Sequence, residues 1–121
     1  MDLLLDRSVL LGIRTPGRTP GLADALRRHG HRRLFVPAPV LGELLAGRPG
    51  EELWVEQLEL RFPERVLAVD TAVARVWGAL GAPARDPVAG LTAATALAHG
   101  LTVLTADAHR YAGIEVPVLA V

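Results

Sequence analysis

The sequence predicts an α/β fold built on a small parallel sheet, and three observations point there. Short runs that are apolar throughout, such as LLLD (3–6), RVLAV (65–69) and TVLT (102–105), alternate along the chain with helical patterns. Strands buried on both faces read as continuous apolar runs, whereas half-exposed strands alternate apolar with polar. The helices also carry local boundary signals, Asp or Pro where they start and Gly where they stop.

The elements follow in order. LLLD (3–6) is the first strand, and Ser8 is placed to cap a short helix, VLLGI. RTPGRTPG (14–21) is a loop, because Pro and Gly interrupt it repeatedly. LADALRRHG (22–30) is helical, with Gly30 as its end. RRLFVP (32–37) holds the second strand, and Pro39 opens a helix that runs to Ala46 and Gly47. EELWVEQLELRF (51–62) is an amphipathic helix, RVLAV (65–69) the third strand, and Asp70 the N-cap of TAVARVWGAL. Asp86-Pro87 caps and opens a further helix ending at Gly100. TVLT (102–105) and PVLAV (117–121) are the last strands. No internal repeat and no linker divides the chain, so residues 1–121 are expected to be one domain.

Composition removes several function classes. There is no cysteine, which excludes disulfide scaffolds, thiol chemistry and Cys-based zinc sites. The net charge is zero and every basic residue is arginine, so the chain as a whole has no electrostatic bias toward nucleic acid or anionic lipid. The apolar start, MDLLLDRSVLLGI, lacks a positive leading region and is interrupted by Asp2 and Asp6, unlike a signal peptide. No apolar stretch is long enough to span a bilayer, and the expected location is the cytoplasm.

What remains is a pattern of acids. Asp6, Asp70 and Asp107 each follow a strand-like run, and ligands of open parallel sheets bind at the carboxyl ends of strands. Glu43 is the only charged residue in APVLGELLAG, a helix whose apolar character predicts burial, so its carboxylate needs a partner. A buried Arg is one such partner; a divalent cation shared with other carboxylates is another. Oxygen-only sites suit Mg²⁺ or Mn²⁺, which activate water and stabilise a leaving oxygen in phosphodiester hydrolysis. Each acid also has a plain reading: Asp70 and Asp86 as caps, Asp6 as a strand end, Asp107 as a turn residue.

Taken together, LLLDRSVLL, VLGELLAG, VLAVDTAVARVWGAL and PVAGLTAATALAHGLTVLTAD resemble a PIN domain of the bacterial toxin type, in the manner of VapC and FitB-like ribonuclease toxins. The resemblance spans essentially the whole chain, and AATALAHGLTVLTAD is its most specific stretch. It implies a three-layer α/β/α domain, a Mg²⁺- or Mn²⁺-dependent endoribonuclease toxic to its cell, a homodimer, and a small VapB-like antitoxin partner. The family's acids fall on Asp6, Glu43 and Asp107, as metal-binding and catalytic residues. Its short hydroxyl residues fall on Ser8 and Thr105, where they would hydrogen-bond the ligating carboxylates.

Three positions depart from that pattern. The run resembling PVxDALIAATA has Ala89 where the family carries an aspartate, Arg7 replaces a small residue beside the first acid, and Arg110 stands where some members have a further acid. Asp86, three residues before Ala89, lies on the same helical face and is the candidate to compensate. The alternative is a degenerate PIN-like domain that binds an antitoxin or RNA without cleaving it. A receiver domain of the response-regulator kind also uses acids at strand ends, but it needs a lysine and this chain has none.

Two further features are noted. RRHGHRR (27–33) gathers four arginines and two histidines, suited either to RNA phosphates or to a helix C-terminus. Trp54 and Trp77 sit at helical core spacing and are expected to pack in the core or at a dimer interface.

Overall fold

The computed structural model describes residues 2–46, 48–81 and 86–121. The elements run β1 (Leu3–Leu5), α1 (Arg7–Arg14), α2 (Leu22–Arg28), β2 (Leu34–Pro37), α3 (Ala38–Leu45), α4 (Glu52–Arg61), β3 (Val66–Leu67), α5 (Thr71–Leu80), α6 (Pro87–His99), β4 (Thr102–Thr105), a 3₁₀ turn (Ala108–Tyr111) and β5 (Val118–Ala120). The end expected for α3 at Gly47 lies outside the described residues.

The five strands form one sheet in the order β3-β2-β1-β4-β5, and all four pairings are parallel. Successive side chains of β1 point to opposite faces, which splits the core in two. Leu3 and Leu5 pack with Val9, Leu10, Val40, Leu44 and Leu58, the layer made by α1 to α4. Leu4 packs with Ala89, Ala96, Val103 and Tyr111, the layer of α6, on which α5 lies. The result is the three-layer α/β/α arrangement. α6 sits close to the sheet because its buried positions are small: Ala89, Gly90, Ala93, Ala94 and Ala96.

Several boundaries differ from expectation, each for a physical reason. Asp6, not Ser8, caps α1: β1 ends at Leu5, and the Asp6 carboxylate accepts the Val9 N–H at 3.3 Å. β3 pairs over two residues instead of five, because Pro37 ends β2 and leaves Ala68 and Val69 no partner strand. α2 ends at Arg28 with His29 as its cap, one residue before Gly30. α3 is half-buried: Val40 and Leu44 face the core while Gly42 and Leu45 are exposed. Trp77 lies at the surface of α5, 40 % exposed, whereas Trp54 packs against the core as expected and stacks under the Arg14 guanidinium at 4.4 Å. Among the described residues no helix is long and apolar enough to cross a membrane.

Candidate functional site

From β1 the chain moves outward to β2 and β3, then returns to place β4 on the other side of β1. The strand order reverses between β1 and β4, and the carboxyl ends of those two strands are where ligands of such sheets bind. Asp6 follows β1 there, and Thr105 ends β4.

Asp6 is fully buried and its two oxygens meet four donors. Oδ1 accepts the Ser8 hydroxyl at 2.5 Å and the Val9 N–H at 3.3 Å. Oδ2 accepts the Thr105 hydroxyl at 2.6 Å and the Tyr111 hydroxyl at 3.0 Å. The hydroxyls are held in turn by backbone: the Ala106 N–H donates to Ser8 Oγ and the Asp107 N–H to Thr105 Oγ1, each at 2.9 Å. Both hydroxyl protons go to Asp6, so the 3.3 Å approach of Ser8 Oγ to Thr105 Oγ1 is a contact between acceptors. Burial and the facing Asp6 carboxylate push the Tyr111 phenol well above its ordinary pKa, which keeps it a donor at neutral pH.

The second group of acids surrounds an arginine. Arg110, on the 3₁₀ turn after β4, donates from Nε to Asp86 Oδ2 at 2.7 Å and from one terminal nitrogen to Asp86 Oδ1 at 3.0 Å. The same nitrogen reaches Glu43 Oε2 at 2.8 Å. The Arg110 side chain is only 10 % exposed, and Glu43 only 15 %. The more exposed Arg7 lies 3.6 Å from Glu43 Oε2. The hydrogen bonds from Arg110 hold the Asp86 carboxyl below its usual range, while the carboxylates raise the Arg110 pKa further. Asp86 also caps α6 by accepting the Ala89 N–H at 3.1 Å. It therefore does reach the neighbourhood of Glu43 from one turn earlier, as an arginine partner. Ala89 itself is fully buried in the core beneath α6.

Asp107 is exposed, and its backbone carbonyl starts the 3₁₀ turn by accepting the Arg110 N–H at 3.1 Å. Of the residues singled out in the sequence, Asp6, Ser8 and Thr105 form one hydrogen-bonded unit, whereas Glu43 belongs to the Arg110 and Asp86 group. Two contributors escaped the sequence reading. Tyr111 gave no signal beyond being an aromatic after a turn. Arg110 was visible only as an odd replacement, although a buried Glu43 in want of a partner pointed toward a cation.

A divalent cation needs carboxylate oxygens with unshared lone pairs facing one point. Asp6 spends its four acceptor positions on protein donors, and Glu43 and Asp86 share a guanidinium. Among the described residues no three acidic or imidazole groups are gathered to hold a metal ion. As arranged, these residues do not fit a divalent cation; Arg110 supplies the positive charge between the acids instead.

A parallel sheet with acidic and hydroxyl side chains at its switch point places this chain among the open α/β domains whose sites lie at the strand ends. This chain belongs to the PIN domain family, whose sequence profile matches residues 3–113. The fold is similar to that of FitAcB from Neisseria gonorrhoeae, at 24% identity over 97% of this chain and 96% of that one, with a TM-score of 0.72. It is similar to DNA-bound VapBC from Salmonella typhimurium, at 18% identity over 99% and 98% of the two chains and a TM-score of 0.72. A toxin-antitoxin complex from Klebsiella pneumoniae matches at 17% identity over 98% and 97%, with a TM-score of 0.70. No curated protein matches the chain.

Proposed function

We propose that this chain is the PIN-domain member of a toxin–antitoxin pair that acts by holding a VapB-like protein partner or RNA, with phosphodiester cleavage suppressed. The observation that carries this reading is Arg110. Its guanidinium lies between Glu43 and Asp86, where an oxygen-ligated cation would be needed for phosphodiester chemistry. Ala89 adds to it, because a methyl group binds no metal. The partner class is supported by the similarity to a structure that is itself a toxin-antitoxin complex. A homodimer in the cytoplasm completes the reading.

One observation favours a second reading. Glu43 Oε1 is buried and has no hydrogen-bond partner, so one carboxylate oxygen remains available to a cation. In that reading the chain is a Mg²⁺- or Mn²⁺-dependent endoribonuclease toxin with Asp6, Glu43 and Asp107 as its metal-binding and catalytic carboxylates. Arg110 would then have to leave Glu43.

The deciding measurement is cleavage of a structured RNA by the purified protein in Mn²⁺ and in Mg²⁺, beside Asp6→Asn and Ala89→Asp. The expected result is no cleavage by the native chain. Native cleavage that disappears in Asp6→Asn would overturn the proposal and establish the second reading. Cleavage appearing only in Ala89→Asp would show that the missing acid, and not Arg110, is what suppresses the chemistry.

A further inference from the structure

The turn after β4 carries more than Arg110. Ala108–Tyr111 is a single 3₁₀ turn, and its last two residues reach different groups of acids. Arg110 bridges Glu43 and Asp86, and the next side chain, Tyr111, gives its hydroxyl to Asp6 Oδ2 at 3.0 Å. One short turn therefore touches three carboxylates.

The donors on Asp6 are not equivalent. A carboxylate has about four acceptor positions, two on each oxygen. The Ser8 hydroxyl and the Val9 N–H fill those of Oδ1, and both come from the start of α1. The Thr105 hydroxyl fills one position of Oδ2, and Tyr111 takes the other. Tyr111 thus decides whether Asp6 keeps an unshared lone pair. Its ring is 3 % exposed and packs with Leu4, Ala89 and Val103. The backbone around it is tied as well. The Asp107 carbonyl accepts the Arg110 N–H at 3.1 Å, and the Tyr111 carbonyl accepts the Ile114 N–H at 3.0 Å. A ring set in a close-packed core does not swing aside as a surface side chain does. A phenylalanine ring would fill the same space, so packing does not account for the hydroxyl.

We propose that the turn Ala108–Tyr111 is a two-armed lock, in which the Tyr111 hydroxyl closes Asp6 to cations while Arg110 neutralises Glu43 and Asp86. Tyr111 is a positioning residue that acts through Asp6. This role rests on the proposed suppression of cleavage and deepens it: an acid restored at Ala89 would still face an Asp6 with no lone pair to share.

The test is Mn²⁺ binding to the full chain, read from the loss of the free-ion signal in electron paramagnetic resonance. Wild type is compared with Tyr111→Phe, Arg110→Gln and the two substitutions together. Wild type should bind no Mn²⁺ at millimolar concentration. The double variant should bind at least about tenfold more tightly, the scale on which the partners of metal ligands act. Adding Asp6→Asn should remove the gain. Gly12→Ala, on α1 against α2, should gain nothing, which separates release of Asp6 from general loosening. Urea unfolding reports whether each variant is folded; if the double variant is not, Tyr111→Phe, which keeps Arg110, should still show part of the gain. Folded variants that bind no more tightly than a silent wild type would overturn the lock and leave the suppressed centre standing. A gain that survives Asp6→Asn would also overturn the lock, as would RNA cleavage by Ala89→Asp with Tyr111 in place. Mn²⁺ binding by wild type as tight as that of the double variant would overturn both the lock and the reading beneath it.

Discussion

At the scale of single residues, Arg110 settles the electrostatics of the site. Glutamine at this position would leave Glu43 and Asp86 with only the more exposed Arg7, 3.6 Å from Glu43, as a neighbouring cation. An exposed ion pair is worth about 0–1 kcal/mol and breaking a buried one costs about 3–5 kcal/mol. Arg110 is 10 % exposed but Asp86 is 36 % exposed, so the pair stands between those limits. Arg110→Gln should cost about 2 kcal/mol in urea unfolding at pH 7. The loss should shrink in acid. Asp86 has its folded pKa depressed by Arg110, so its contribution is present above the unfolded value near 4 and disappears as pH falls below it. Wild type and variant should converge as pH falls from about 4 through the depressed folded pKa of Asp86. A constant gap would mean that Arg110 stabilises by packing alone. The same residue marks the limit of the sequence. Its partners are 24 and 67 positions away, and no local pattern encodes such a pairing.

At the scale of elements, local signals were reliable and tertiary ones were not. Asp70 and Asp86 were legible as caps because a cap is satisfied within three residues, and both carboxylates accept the expected N–H groups. The cap of α1 was misplaced by two positions because Asp6 and Ser8 are both good cap residues, and the end of β1 decides between them. β3 looked five residues long because apolar composition does not reveal where a neighbouring strand stops. Gly12 illustrates a constraint that composition also hides. A Cβ there would stand 2.6 Å from Thr19 Oγ1 and 2.7 Å from Leu22 Cδ2, in the contact of α1 with the following loop and α2. Alanine should gain about 0.5–1 kcal/mol in helix propensity, against about 1–3 kcal/mol for overpacking. Gly12→Ala is therefore expected to lower the urea midpoint; a raised midpoint would mean that the loop yields freely.

At the scale of the whole molecule, the parallel α/β class and the strand sequence were readable, since continuous apolar runs report strands covered on both faces. The way the acids divide between two groups was not readable. It depends on which side of β1 the returning chain takes. The sheet order also predicts a gradient of stability. β1 is paired on both sides and buried on both faces, whereas β3 is a two-residue edge. Amide exchange should be slowest for β1 and β4 and fastest for β3, approaching global unfolding only at the centre. Equal protection across the five strands would contradict that order.

The Asp6 carboxylate has a consequence in time as well as in space. Two of its four donors, Thr105 and Tyr111, lie 99 and 105 residues further along the chain, and the arginine that neutralises Glu43 is 67 residues beyond it. Synthesis proceeds from the N-terminus at about 5–20 residues per second, so the residues of β1, α1 and α3 are made seconds before these groups. During that interval Asp6 and Glu43 are open to solvent ions and to any cation supplied from outside. The nascent chain thus carries a set of exposed acids that the finished protein has closed.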